Sequence, residues 1–280
     1  MARLLKMSGG RITAAVAPEN GGMLTSLCID GCEVLHTDPE FLEICPIIAG
    51  GIPILFPYPS KTADDAYTVH GKTYAMPLHG LVKNDVFAVR AAAEDRIVLT
   101  SEPAPVWLSE CYPFPYRLTV EYRLTDTGIC MDTAVTNTGA EPLSHGLGLH
   151  PYFRVTDSKT TRLTQFNTVH YDYGSCEDLA PLPQNPDLTQ EWDNVLHTPT
   201  EHRFVLENPA DGYRVDCFFD DAFRALVLCN NAAPDSVCVE PWCVLPNAAN
   251  TGRFVQTVAP GETRHYRLRL ELSTLRGSAL

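Results

Sequence analysis

Arg117-Leu118-Thr119-Val120-Glu121-Tyr122-Arg123-Leu124 alternates polar and apolar side chains without a break. A period of two puts successive side chains on opposite faces, so this stretch predicts a half-buried β-strand. Thr125-Asp126-Thr127-Gly128 follows as a turn, and Ile129-Cys130-Met131-Asp132-Thr133-Ala134-Val135 returns, which predicts a long hairpin. Tyr266-Arg267-Leu268-Arg269-Leu270-Glu271-Leu272 repeats the alternation near the C-terminus. Further strands are predicted at Arg11 to Ala17, Leu24 to Ile29, Arg96 to Ser101, Phe204 to Leu206 and Phe223 to Cys229.

Helical signal is thin. Thr37-Asp38-Pro39-Glu40 predicts one short helical turn with proline at an early position, and Asp187 to Leu196 has room for another. Prolines and glycines punctuate the remainder as loops, and no repeat, low-complexity stretch or long linker interrupts it. The reading is one all-β domain over residues 1–280, a large antiparallel β-sandwich.

Composition narrows the function. The chain has 280 residues, 45% hydrophobic and 20% charged, which suits a soluble globular protein with a sizeable core. A net charge of -13 argues against nucleic acid, which needs a basic footprint. Met1 to Gly10 carries two basic residues but no apolar run follows, so no signal peptide is expected. No segment approaches the roughly 20 apolar residues of a membrane helix. The expectation is a cytoplasmic protein with no membrane partner. The ten cysteines are scattered, with Cys28 and Cys32 four apart and Cys238 and Cys243 five apart, and without a C-x-x-C pair. They read as free thiols in a reducing compartment. The nine histidines form no zinc-type cluster along the chain, so no metal is expected.

Two segments bear chemistry. Ser236-Val237-Cys238-Val239-Glu240 reads as a strand ending in a carboxylate, followed by Pro241-Trp242. Ser144-His145-Gly146-Leu147-Gly148-Leu149-His150 reads as a strand ending in an imidazole, followed by Pro151-Tyr152-Phe153. Alternation puts Ser144, Gly146, Gly148 and His150 on one face, and Glu240 with Cys238 and Ser236 on one face. The two glycines beside His150 suggest room for a ligand. Tyr152, Phe153 and Trp242 offer flat rings on which sugars stack, or packing for the core. His150 also reads as a strand-end histidine with a structural hydrogen bond, and Glu240 as a loop cap or a partner of arginine. His79, between Leu78 and Gly80, is either a substrate donor or a loop staple. Asp193 follows Trp192 and otherwise reads as a surface aspartate. Gly50-Gly51 is weak as a phosphate loop, because no lysine or helix start follows.

Taken in order, Gly50-Gly51-Ile52-Pro53 with Phe56-Pro57, Leu78-His79-Gly80, Leu149-His150-Pro151-Tyr152-Phe153, Val239-Glu240-Pro241-Trp242 and Pro246-Asn247-Ala248-Ala249-Asn250-Thr251 resemble the aldose 1-epimerase (galactose mutarotase) family. Pro18-Glu19-Asn20-Gly21-Gly22 also fits, and the resemblance runs from about residue 10 to 272. It implies the galactose mutarotase-like supersandwich and interconversion of the α and β anomers of a free aldose, without cofactor or metal. It implies Glu240 as general base, His150 as general acid, His79 as a second histidine on the sugar, and Asp193 as a substrate-binding aspartate. It implies that the Glu240 carboxylate keeps the imidazole protonated and that activity depends on pH as a bell. Relatives acting on hexose phosphates carry arginine where this chain has Ala49, and many carry arginine where it has Lys83. Loss of a bidentate guanidinium favours an unphosphorylated sugar. Phe56-Pro57-Tyr58-Pro59 replaces a tryptophan-containing version, which leaves the identity of the sugar open. The competing readings are a non-catalytic carbohydrate binder and a glycoside hydrolase or lyase using Glu240 with Asp193.

Overall fold

The computed structural model describes residues 3–38 and 50–275. Tyr116–Thr125 and Gly128–Asn137 form the long hairpin, with Thr125 opposite Gly128 across a two-residue Asp126-Thr127 turn. Its inward residues Leu118, Val120 and Tyr122 are buried, while Arg96 and Glu121 pair on the outer face at 2.7 Å. Burying each such apolar side chain is worth about 1.5–3 kcal/mol, so the alternation itself drives the pairing. Thr263–Thr274 pairs with the second hairpin strand and buries Tyr266, Leu268, Leu270 and Leu272.

All paired strands are antiparallel, and the fold is all-β. The large sheet runs from Ile54–Leu55 through Gly148–Leu149, Ser236–Trp242, Ala225–Cys229 and Asp193–Asn208. It continues through Tyr213–Phe219, Thr263–Thr274, Gly128–Asn137, Tyr116–Thr125 and Arg96–Ser101 to Ala88–Ala92. Leu5–Gly9, Ile12–Ala17, Met23–Ile29 and Cys32–Glu33 form a separate four-stranded sheet, bridged to the rest at Leu24 and Ile52. The expected sandwich is therefore present, with a core that includes Leu24, Phe56, Tyr122, Phe153 and Phe204.

The short helical turn expected within Asp187 to Leu196 is not helical. Asp187 makes a single turn instead, with its Oδ1 accepting from Thr189 N at 3.0 Å and its carbonyl accepting from Gln190 N at 3.1 Å. Asp193–Asn208 is then a strand of 16 residues. Burial of Val195 and Leu196 against the neighbouring strand outweighs the helical start signal. One edge of this strand pairs with Arg162–Tyr171, and the other serves two neighbours in turn. Asp193 to His197 pair with Ala225–Cys229, and Arg203 to Asn208 pair with Tyr213–Phe219. The change falls near Thr198, whose φ is 59°, and Pro199. A short helix at Pro105–Glu110, with proline opening it, was not expected from the sequence. Pro39, Glu40 and Ala49 lie outside the described residues. Among the described residues, no helix is long and apolar enough to cross a membrane.

Candidate active site

Glu240 does not end its strand. Ser236–Trp242 continues through Pro241, with Glu240 opposite Val227 and Trp242 opposite Ala225. The interruption falls on the other side. Gly148 pairs with Trp242 and Tyr152 pairs with Cys238, so His150 comes opposite Glu240 in the same register. There the ladder thins, because prolines 151 and 241 have no N–H to give, and Val239 N donates to the Pro151 carbonyl at 3.4 Å. On its other edge the segment continues its pairing with Ile54–Leu55, and the His150 N–H donates to the Pro53 carbonyl at 3.1 Å. Tyr152 N is held by the Gly51 carbonyl at 2.9 Å. The double glycine thus positions this strand.

Cross-strand rows build the cavity floor. Tyr152, Cys238, Cys229 and Asp193 are consecutive partners across four strands, and the next row holds His150, Glu240, Val227 and Val195. A cavity of about 500 Å³ lies over them, lined by His150, Glu240, Tyr152, Val227, Cys229 and Asp193 from these rows and by Trp242 beyond them. Such a volume is within the roughly 300–1,000 Å³ of small-molecule sites. Loops complete the wall with Ser60, Lys61, Leu78, His79, Lys83, Tyr173 and Ala232.

His150 Nε2 stands 3.3 Å from Glu240 Oε1, with both side chains buried. The indole N–H of Trp242 donates to Glu240 Oε2 at 3.2 Å. Tyr152 stacks on the His150 ring, with centroids 4.5 Å apart and planes 5° apart. Burial pushes the Glu240 carboxyl well above its ordinary range, and nearby Cys229 and Asp193 add to the rise against the Trp242 hydrogen bond. Burial pushes His150 well below its ordinary range, helped by His79 and Lys83. The expected imidazolium is therefore disfavoured. Desolvation, with two basic neighbours, outweighs the pull of the carboxylate.

His79 adopts a left-handed φ of 64° in the turn closed by Gly80 N to the Pro77 carbonyl. Gly80 is required there, since a Cβ would come within 2.3 Å of the Phe56 carbonyl oxygen. Ser60 N donates to His79 Nδ1 at 3.1 Å, and His79 N donates to the Ser60 carbonyl at 2.9 Å. An accepting Nδ1 leaves the Nε2–H of the neutral ring as its donor. Burial and Lys83 push His79 down to about 4. Lys83 donates to the Leu78 carbonyl, and its own carbonyl lies where a Gly21 Cβ would be. Gly21 thereby leaves room for the Lys83 turn. Asn247 braces the opposite wall: it donates to the Lys61 carbonyl at 3.0 Å and accepts from Ala63 N at 3.0 Å.

All six residues singled out for catalysis and binding, Glu240, His150, His79, Asp193, Lys83 and Trp242, line this one cavity. Phe153 does not, and packs in the core against Phe204. The room beside Gly148 is filled by protein: a Cβ there would meet Trp242 Cδ1 and Pro59 Cβ at 2.8 Å each, so that glycine serves packing. Sequence reasoning missed Tyr173 and Cys229. Tyr173 sits in a turn that Asp172 caps through Ser175 N at 2.7 Å, and the aromatic beside a capping aspartate was its available signal. Cys229 was read only as a strand residue. Cys238 Sγ, one His150 ring nitrogen and one Glu240 carboxylate oxygen also lie within 4.8 Å of one another, a cluster that spacing along the chain does not show.

The sequence profile of the aldose 1-epimerase family matches residues 3–271, and the chain belongs to that family. It is 27% identical over 278 residues to the protein YihR of Escherichia coli K12, covering 89% of this chain and 86% of that one. Among solved structures it resembles the Slr1438 protein of Synechocystis sp. PCC 6803, with a TM-score of 0.91 and 24% identity over 98% of this chain and 96% of that one. A galactose mutarotase-like protein from Lactobacillus casei gives a TM-score of 0.84 and 24% identity over 97% and 100%. At these identities the structural likeness is one of fold.

Proposed function

We propose that the protein interconverts the α and β anomers of a free, unphosphorylated aldose by proton transfer between Glu240, His150 and the sugar. The contact of 3.3 Å between these two buried groups at the cavity floor carries the reading. Burial favours the state in which the pair as a whole is neutral and holds one shared proton. The productive form is its ion-pair tautomer. Glu240 takes the proton from the C1 hydroxyl as His150 gives one to the ring oxygen, and the ring opens to the aldehyde. Rotation about the C1–C2 bond and reversal of both transfers returns the other anomer. His79 Nε2–H bonds the sugar near the ring oxygen or the C1 hydroxyl. Asp193 and Lys83 bond outlying hydroxyls, and Trp242 gives an apolar wall. No metal or cofactor enters this sequence of steps. The nine cysteines described are all free, which supports a reducing cytoplasm as its place of work.

Polarimetry of freshly dissolved α-galactose, α-glucose and other aldoses tests the proposal. A rate above the spontaneous one is expected for at least one sugar, and a lower rate for its 6-phosphate. No acceleration with any aldose would refute it. A second reading, glycoside cleavage by two carboxylates, rests on Glu240 and Asp193 lining one cavity, and release of nitrophenol from nitrophenyl glycosides would favour it.

A further inference from the structure

We propose that the cavity floor is also a binding site for a thiophilic divalent cation, zinc(II) above all, held by His150, Cys238 and Glu240, and that the bound ion blocks the proton-transfer pair. The three side chains are buried, and their ligand atoms lie within 4.8 Å of one another. The strand geometry explains the cluster. Cys238 and Glu240 are alternate residues on one strand face, and His150 faces Glu240 in register from the neighbouring segment.

The donor set selects the ion. One imidazole nitrogen, one sulfur and one carboxylate oxygen suit a borderline-soft metal, whereas magnesium and calcium take oxygen ligands. Metal–ligand distances of about 2.0–2.3 Å require the three side-chain ends to draw together by something on the order of 1 Å. Charge also balances. A thiolate and a carboxylate neutralise a divalent ion, the imidazole binds as the neutral ring, and the loaded site places no net charge in a buried position. Loading releases the thiol proton, and any proton on the carboxyl, to solvent. Entry is through the cavity, which His150 and Glu240 line. Cys229, the cross-strand partner of Cys238 and a wall of the same cavity, sets a second thiol beside the site. An ion there occupies both the nitrogen and the carboxylate that a sugar would need, so it competes with substrate.

The test is titration of chelator-treated, full-length protein with cobalt(II), read by absorption spectroscopy. A thiolate-to-cobalt charge-transfer band that grows to one equivalent, is displaced by zinc(II) and is untouched by excess magnesium(II) is expected. Cys238→Ser should lose that band, with its circular dichroism unchanged. Glu240→Gln should weaken cobalt binding roughly tenfold or more while keeping the sulfur band at saturation. Absence of the band in the parent protein, or a band of equal strength and affinity in Cys238→Ser, would overturn the proposal. The spectroscopic readout stands apart from sugar turnover, so a failure to accelerate mutarotation bears on the proposed function and leaves this site to the cobalt titration.

Discussion

His150 and Glu240 face each other in register between two antiparallel segments, beside prolines 151 and 241, which can donate no ladder hydrogen bond. The neighbouring pairs on either side, Gly148 with Trp242 and Tyr152 with Cys238, hold the backbones in place. The two side chains therefore meet because the sheet brings them together, with little conformational freedom left to lose on binding substrate.

Removing either member of the pair should abolish most of the mutarotase rate and leave the fold standing. Glu240→Gln and His150→Ala are each expected to lower kcat by about 10²–10⁴-fold, the usual worth of one general acid or base. Glu240→Gln should not lower the melting temperature, because it removes a carboxyl that burial already disfavours in its charged form. Polarimetry beside thermal unfolding checks both. Near-parent turnover in either variant would contradict the assigned role.

The rate should follow a bell in pH with a broad top. Doubly protonated and doubly deprotonated forms of the pair each carry a net charge in a buried place. The acid limb should fall below the ordinary histidine range and the alkaline limb above the ordinary carboxylate range, in keeping with the directions in which burial moves the two groups. Both limbs belong to the pair as a unit. A kcat/KM profile with its acid limb at or above the range of free histidine would contradict this.

Stability should fall in acid through His145. This ring is fully buried, bonds the Tyr266 hydroxyl at 2.6 Å, and is pushed down to about 3 by burial and by Arg264. The unfolded chain binds this proton near pH ~6.5 and the folded chain does not, so the contribution is complete above that pH. It is lost as pH falls from there towards the folded value, by about 1.4 kcal/mol per pH unit. Denaturant unfolding at several pH values should show a steeper acid slope in the parent than in His145→Gln. Equal slopes would remove His145 from the account.

Gly148→Ala should harm activity and stability together. Its Cβ would press on Trp242 and Pro59 at 2.8 Å, and overpacking of this kind costs about 1–3 kcal/mol. Because the Trp242 indole donates to Glu240, its displacement should also lower kcat more than it changes KM. A variant with parent stability and parent kcat would show that the indole has free space to move.

The sheet was legible because alternation records which face a residue takes. Arg117 to Leu124, Tyr266 to Leu272 and Arg96 to Ser101 all lie within observed strands. Alternation does not record which strand lies alongside. The pairing of Tyr152–Arg154 with Ser236–Cys238, and the opposition of His150 and Glu240, depend on partners distant in sequence. The resemblance supplied those residues where periodicity was silent. Asp187 misled because its turn-capping carboxylate gives the same local signal whether a helix or a single turn follows. Gly148 misled because a missing side chain looks alike in sequence whether a ligand or an indole fills the gap.

The cavity divides labour between its parts. Glu240 stands on a strand and His150 in the two-residue gap between Gly148–Leu149 and Tyr152–Arg154, while Lys61, Leu78, Tyr173 and Ala232 reach in from connecting segments. Substitutions in those segments can reshape the outline offered to a sugar without moving the two groups that exchange protons. A descendant of this chain could therefore change its preferred aldose step by step while the reaction itself stayed intact.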